Sequence, residues 1–156
     1  MDVDVLVVGA GPGGLGTLRE LRRAGLRAIA VDRAPKLAPT WRGAYDRLRL
    51  NTAAGLSHLP GRRLPRSAGR WPSRDAFLAY LEDYVRAEGL DVRLGVEVFG
   101  LRRDEGAWVV ETDEGEVRAA QIVVATGYNG VPLVPDWPGV AGFAGRLLHS
   151  SEFRSG

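Results

Sequence analysis

Apolar residues at the start of the chain fall into runs whose spacing differs from one run to the next. Residues 3–8 and 26–32 are nearly continuous apolar runs, which predict two strands. Between them, residues 15–25 carry leucines at helical spacing among arginines and a glutamate, and this stretch ends on a glycine. The chain is therefore expected to open with a strand, an amphipathic helix and a second strand.

A glycine-rich turn joins the first strand to the helix, reading Gly-Ala-Gly-Pro-Gly-Gly over residues 9–14. Gly9 lets the chain turn sharply, Gly11 lets a pyrophosphate approach the backbone, and Gly14 lets the helix pack closely on the strand. The unpaired N–H groups at the start of a helix attract negatively charged phosphates. Asp32 ends the second strand, where its carboxylate can accept hydrogen bonds from ribose hydroxyls. Together these signals predict a dinucleotide-binding unit.

The middle of the chain has a less regular pattern. Residues 33–72 contain many prolines and arginines without a clean period, so we expect an ordered excursion with a short extended piece near residues 48–52. Its arginines are interpreted mainly as a solvated face, with attraction of phosphates as the alternative. Ser73 is a good N-cap, and residues 77–85 carry apolar side chains at helical spacing until Gly89. We expect a helix here whose aromatic residues belong to the core.

Short strands separated by turns are expected after this helix. They cover residues 91–94, 96–101, 107–112 and 116–119. Two Asp-Glu-Gly turns separate the last three, which predicts an antiparallel meander. Residues 121–125 form a continuous apolar run, typical of a strand buried on both faces, and residues 129–156 are expected to be mostly loop. The order predicts one α/β domain over residues 1–156, with a parallel sheet and the three-stranded meander as a second layer.

Composition and charge narrow the classes of function. At 156 residues and 45% hydrophobic content, the chain can form one domain with a substantial core. The formal net charge of +2 is small, so neither nucleic acid nor a membrane is expected as a partner. The chain has no cysteine, which excludes a redox-active cysteine pair, a thiol nucleophile and a cysteine-ligated metal site. Neither a signal peptide nor an apolar run of transmembrane length is recognisable, so we expect a soluble cytoplasmic protein.

Five motifs are similar, in the same order, to the N-terminal FAD-binding part of the flavin-containing monooxygenases, which include auxin-forming and Baeyer–Villiger relatives. They are the fingerprint with its acid at position 32, residues 40–51, residues 71–84, residues 125–128 and residues 143–153. The last motif reads FAGRLLHSSEF and matches the family pattern F-x-G-x-x-x-H-x-x-x-F/Y, the most specific of the five. The chain thus resembles this family over essentially its whole length, with a Rossmann-like fold.

The resemblance implies FAD as cofactor and assigns residues to its parts. The pyrophosphate would lie on Gly9, Gly11, Pro12, Gly13 and Gly14. Asp32 would hold the adenosine ribose, and the adenine would lie near Arg33 and the backbone of Val98. Trp41 and Arg42 would contact the flavin half, and the cofactor would be covered by Ala125, Thr126 and Gly127. The family usually has Gly-Gly before its Thr-Trp pair, where this chain has Ala38 and Pro39.

The resemblance also implies a reaction, which is NADPH- and O2-dependent monooxygenation of a small-molecule substrate through a flavin C4a-peroxide. Asn51 matches an active-site asparagine of part of the family, and His149 lies in the motif that joins the FAD and NADPH domains. Family members continue into a second glycine-rich fingerprint for NADPH. We therefore expect this domain to be incomplete, with NADPH bound only in a longer protein, and its uncovered apolar surface favours self-association.

Several other functions remain open at this point. The chain could be a non-catalytic or truncated FAD-binding module, or part of another FAD- or NAD(P)-dependent oxidoreductase. A short-chain dehydrogenase is disfavoured because Lys36, the only lysine, lacks a tyrosine four positions before it. A disulphide-reducing flavoprotein is disfavoured by the absence of cysteine.

Overall fold

A computed structural model describes residues 2–128 and 130–155, in which a six-stranded sheet packs against helices on one face. The strands are β1 (Asp2–Val8), β2 (Ala28–Asp32), β3 (Val92–Leu94), β4 (Val98–Asp104), β5 (Ala107–Thr112) and β6 (Gly115–Val124). The helices are α1 (Pro12–Arg23), α2 (Pro39–Arg42) and α3 (Arg74–Ala87). The strand order is β3-β2-β1-β6-β5-β4, with parallel pairing from β3 to β6 and antiparallel pairing from β6 to β4. The predicted α/β fold with a parallel sheet and a meander is confirmed.

One face of the parallel sheet is covered by α1 and α3. Leu15 and Leu18 of α1 are fully buried in the same apolar cluster as Val5 and Val7 of β1. The aromatic residues of α3 belong to that cluster too, which confirms their predicted place in the core. The N-cap of α3 forms as predicted, because the Ser73 hydroxyl accepts a 3.2 Å hydrogen bond from the Ala76 N–H.

The opposite face of the sheet is covered by the meander. Edge strands β3 and β4 are consecutive in the chain and are separated only by residues 95–97. So short a link between the two edges requires the sheet to fold across its own face. Accordingly, Leu6 of β1, Val31 of β2 and Val110 of β5 are buried in one cluster. The meander is a second layer, as expected, but it is continuous with the parallel sheet rather than separate from it.

Strand β6 corrects two predictions. The expected strands over residues 116–119 and 121–125 are one strand of 10 residues, which pairs with β5 through its first half and with β1 along most of its length. The end of β6 is also less buried than predicted, since 68% of Val124 is exposed. The apolar run over residues 121–125 correctly predicts a strand. The two predicted strands form one continuous strand because β6 pairs with β1, which is distant in sequence.

The excursion over residues 33–72 is ordered, as expected, and its conformation depends on contacts with α3. The Tyr84 hydroxyl donates a 2.8 Å hydrogen bond to the Pro60 carbonyl. The Tyr80 hydroxyl donates to the Arg62 carbonyl at 2.6 Å and accepts from the Leu59 N–H at 2.7 Å. The expected extended piece is reduced to an isolated antiparallel bridge between positions 49 and 73.

The Tyr84 contact predicts how stability depends on pH. Burial raises the pKa of the Tyr84 phenol to about 12, above the value of about 10 for an unfolded tyrosine. The unfolded chain therefore loses this proton first, and the free energy of unfolding should fall as pH rises from about 10 to 12. Tyr84→Phe should lower that free energy by about 1–3 kcal/mol at pH 7, because the Pro60 carbonyl loses its partner, and should make the alkaline decline shallower. Urea unfolding at several pH values checks this, with exposed Tyr128→Phe as the control that changes neither quantity.

No helix in the described part of the chain combines the length and the apolar character that crossing a bilayer requires. The segment after β6 is mostly irregular, with short 3₁₀ turns at Val140–Gly142 and Ser150–Glu152. This agrees with the predicted loop character of residues 130–155, whereas positions 129 and 156 lie outside the described residues.

Candidate cofactor site

The glycine turn lies at the carboxyl ends of β1, β2 and β6. Gly9 has φ of +115°, and a Cβ atom there would lie 2.4 Å from the Ala125 carbonyl oxygen. A Cβ atom on Gly14 would lie 1.9 Å from the Gly9 carbonyl oxygen. These two glycines are required by the close approach of the turn, the start of α1 and the end of β6. This is the local geometry that the spacing predicts for Gly9 and Gly14.

Gly11 and Gly13 face open space instead. A Cβ atom at either position would meet no protein atom within 4 Å. Gly11 is the N-cap of α1, and no side chain of the described residues caps this helix end. The first N–H groups of a helix have no partners within it, so they remain available to an anion. Two glycines with free space and an uncapped helix start fit a pyrophosphate lying against the backbone.

Asp32 connects the turn to the end of β2. Its Oδ2 atom accepts a 2.7 Å hydrogen bond from the Ala10 N–H, and its Oδ1 atom accepts a 2.9 Å hydrogen bond from the Ala34 N–H. Each carboxylate oxygen has two lone pairs, so each retains acceptor capacity for a further donor such as a hydroxyl. The carboxylate thus fixes the shape of the turn and remains half-buried at the edge of a cleft.

The first cleft, of about 660 Å³, extends from Asp32 toward the start of the meander. Arg33 and Val98 line it, as do Thr126 and Gly127 at the end of β6. The Arg33 guanidinium lies 3.8 Å from the Glu97 carboxylate, and both side chains are exposed. The structure thus brings together the residues that the resemblance assigns to the adenosine half of FAD. We call this the adenosine-side cleft.

The second cleft, of about 680 Å³, lies on the other side of the glycine turn. Trp41 and Ala125 line it together with Gly11, Pro12 and Gly13. The Trp41 ring packs on the Phe77 ring of α3, with centroids 4.7 Å apart. This side of the cleft therefore packs against the hydrophobic core. We call this the flavin-side cleft. Gly9, Asp32, Thr126 and Gly127 line both clefts, so the two form one groove across the turn.

Ala38 and Pro39, which stand where the family usually has Gly-Gly, are compatible with an ordered loop before Thr40. Ala38 is buried and adopts the left-handed conformation, with φ of 53°, which costs an L-residue about 1–2 kcal/mol. Its N–H donates a 3.1 Å hydrogen bond to the Ala10 carbonyl, which ties the flavin-side wall to the glycine turn. Pro39 occupies the first turn of α2, where a missing N–H is tolerated.

Four predicted residues lie outside the described linings of both clefts, and Gly14 is one of them, because it packs under the turn. Arg42 donates from Nε to the Leu37 carbonyl at 2.9 Å and pairs with Glu82 of α3, so its guanidinium is engaged elsewhere. Asn51 is exposed on the excursion. His149 is partly buried, and its Nδ1 lies 2.8 Å from the Ser151 hydroxyl, at the start of the last 3₁₀ turn.

Other cleft residues were not singled out from the sequence. They include Thr40, Ala44, Leu48, Val96, Glu97, Tyr128, Gly130 and Val131. Thr40, Ala44 and Leu48 fall inside a motif that carried the resemblance, which was the available signal for them. Gly130 and Val131 had no such signal, because they reach the site through the irregular path after β6. Among the described residues, no group of three or more His, Asp or Glu side chains could hold a metal ion.

Comparison with known proteins supports the resemblance that the five motifs indicate. A family model described as pyridine nucleotide-disulphide oxidoreductase matches residues 6–155. An indole-3-pyruvate monooxygenase of Oryza sativa subsp. japonica is 43% identical over 97% of this chain, which covers 38% of that protein. The solved flavin-containing monooxygenase of Stenotrophomonas maltophilia has a TM-score of 0.91 and 33% identity, over 99% of this chain and 47% of its own.

A third match is a solved steroid monooxygenase bound to NADP, with a TM-score of 0.75 and 29% identity over 90% of this chain and 29% of its own. The chain therefore spans less than half the length of each of these relatives. The resemblance to the N-terminal part of the flavin-containing monooxygenases is confirmed.

Proposed function

The chain belongs to the pyridine nucleotide-disulphide oxidoreductase family, and we propose that it is the FAD-binding portion of an NADPH- and O2-dependent flavoprotein monooxygenase. One observation carries this proposal. The adenosine-side and flavin-side clefts meet over an uncapped helix start, at the carboxyl ends of three parallel strands. This is the place where open α/β sheets bind dinucleotides.

Each part of FAD has residues to hold it. The N–H groups at the start of α1 would bind the pyrophosphate over Gly11 and Gly13, where the backbone leaves free space. Asp32 would accept hydrogen bonds from the ribose hydroxyls. Arg33 and Val98 would border the adenine, and Trp41 would border the flavin. Bound flavin supplies hydride acceptance and reaction with oxygen, and this chain orients it and limits its access to water.

Asn51 is proposed as the catalytic residue of this chain. Its carboxamide has both a donor and an acceptor, and its exposure leaves it free to face a substrate or the rest of a longer protein. The Leu50 N–H before it donates a 2.9 Å hydrogen bond to the Pro72 carbonyl, which anchors this part of the excursion next to α3. The role of Asn51 would be to offer its amide N–H to the reacting oxygen.

We also propose that further polypeptide completes the enzyme and supplies the NADPH-binding domain. The relatives are more than twice as long as the matched region, and one of them is described with NADP bound. Large apolar side chains after β6 are strongly exposed, including Tyr128, Val131 and Leu133. Such a surface is typical of an interface that is covered in the complete protein. We propose a small-molecule substrate and a cytoplasmic location.

Reconstitution with FAD tests the proposed function. The purified chain is mixed with FAD, desalted and examined by visible absorption and circular dichroism. We expect a retained flavin band that NADPH does not bleach at the rates of intact enzymes, because we place the nicotinamide site in the further polypeptide. A folded chain without retained flavin would contradict FAD binding, whereas rapid NADPH oxidation would contradict only the proposed domain organisation.

A further inference from the structure

We propose that Phe153 and Arg154 form a latch that positions the wall of the flavin-side cleft. The latch contacts residues 43–46, which follow α2 and which we call the wall loop. Ala44 of the wall loop lines the flavin-side cleft, as does Trp41, which lies two residues before the loop. This inference rests on the proposed function, because it assigns positioning residues for the flavin half of the same site.

The latch reaches the wall loop through backbone and side-chain contacts. The Asp46 N–H donates a 2.9 Å hydrogen bond to the Arg154 carbonyl. The Arg154 guanidinium donates to the Gly43 carbonyl and lies 3.4 Å from the Ala44 carbonyl oxygen. The Phe153 ring lies against the Tyr45 ring, with centroids 6.3 Å apart and a 55° angle between their planes. Every residue of the wall loop is therefore in contact with the latch.

Helix α3 holds the wall loop from another direction. Arg74, at the start of α3, donates to the Ala44 carbonyl at 2.7 Å and to the Asp46 carboxylate at 3.2 Å. The loop's own bonds to α2 run from the Gly43 N–H to the Pro39 carbonyl and from the Ala44 N–H to the Trp41 carbonyl. Apart from the 3.1 Å hydrogen bond from the Leu48 N–H to the Tyr45 carbonyl, residues 45 and 46 are fixed by groups distant in sequence. Losing the latch would leave Arg74 as the main restraint on this end of the loop.

The position of the latch predicts a selective effect on binding. A loop that visits several conformations binds more weakly, in proportion to the fraction of time it spends in the competent one. The wall loop lines the flavin-side cleft but not the adenosine-side cleft. Loosening it should therefore weaken binding of FAD and leave binding of ADP, which has no flavin, unchanged. A change that merely destabilised the whole domain would weaken both ligands.

Arg154→Ala is the direct test. We expect its Kd for FAD to rise about tenfold, the size expected for hydrogen bonds from a charged donor, with an unchanged Kd for ADP and unchanged circular dichroism. Arg154→Lys should recover only part of the affinity, because an ammonium group cannot reproduce the planar fork of a guanidinium. Arg146→Ala, an exposed arginine of the same segment, is the matched control and should bind both ligands like the parent chain. Equal FAD binding by Arg154→Ala and the parent would overturn the latch.

Hydrogen exchange on the unliganded chain separates the latch from the proposed function. Arg154→Ala and Phe153→Ala should each speed amide exchange in peptides covering residues 43–46, whereas Arg146→Ala should not. If the parent chain binds neither FAD nor ADP, the proposed function fails whatever the exchange shows. If exchange in the wall loop is the same in all variants, the latch fails even when FAD binds.

Discussion

Gly11→Ala should abolish retention of FAD while leaving the chain as stable as before. The added methyl group meets no protein atom within 4 Å and would occupy the space where we place the pyrophosphate. Gly11 has φ of −80°, a conformation open to alanine, so the free energy of unfolding should be unchanged or higher by up to about 1 kcal/mol. We expect FAD affinity to fall about a hundredfold or more, a cost near 3 kcal/mol. Fluorescence titration with FAD and urea unfolding measure the two effects separately.

Gly14→Ala is the matched comparison, because its methyl group would meet protein rather than ligand. Its Cβ atom would lie 1.9 Å from the Gly9 carbonyl oxygen, so α1 would have to move away from the turn. We expect a loss of stability of about 3 kcal/mol or more, in the range of severe overpacking. Retention of FAD by Gly11→Ala at the parent's level would show that the cofactor does not lie against this backbone.

Much of this site could be predicted because its signals are local. The turn over residues 9–14 imposes its own geometry through missing side chains, and Asp32 follows at the end of the next strand. The cap of α3 at Ser73 and the hairpin turns of the meander are equally local. The helix and the strands next to them could therefore be predicted. Short-range chemistry decides these features whatever the rest of the chain does.

The features that the sequence did not predict depend on contacts between distant residues. Strand β6 is continuous because its residues pair with β1, as Gln121 does with Val5, and no short-range pattern reports that pairing. Arg42 lies in a motif of the resemblance, yet its guanidinium pairs with Glu82 of α3, which only the packing of the excursion brings near. The latch, likewise, joins two segments that are far apart in the sequence.

Asp32→Ala should weaken binding of both FAD and ADP, since the ribose hydroxyls that we assign to Asp32 are common to the two ligands. The substitution also removes the acceptor of the Ala10 and Ala34 N–H groups, which lie at 2.7 and 2.9 Å from the carboxylate. We expect a loss of stability of about 1–3 kcal/mol from these unpaired donors and at least about a hundredfold loss of affinity for each ligand. Isothermal titration with FAD and ADP gives the affinities, and urea unfolding gives the stability.

Two conservative variants separate the structural part of this effect from the ligand-binding part. Asp32→Asn keeps the shape but replaces one acceptor oxygen by an NH2 group, which faces an N–H donor and cannot accept from it. It should therefore lose stability and affinity together. Asp32→Glu keeps both acceptors on a stem one methylene longer and should bind FAD within about tenfold of the parent. Parallel losses for FAD and ADP would place the defect at the ribose, whereas loss of FAD alone would move it to the flavin-side wall and contradict the assignment of Asp32.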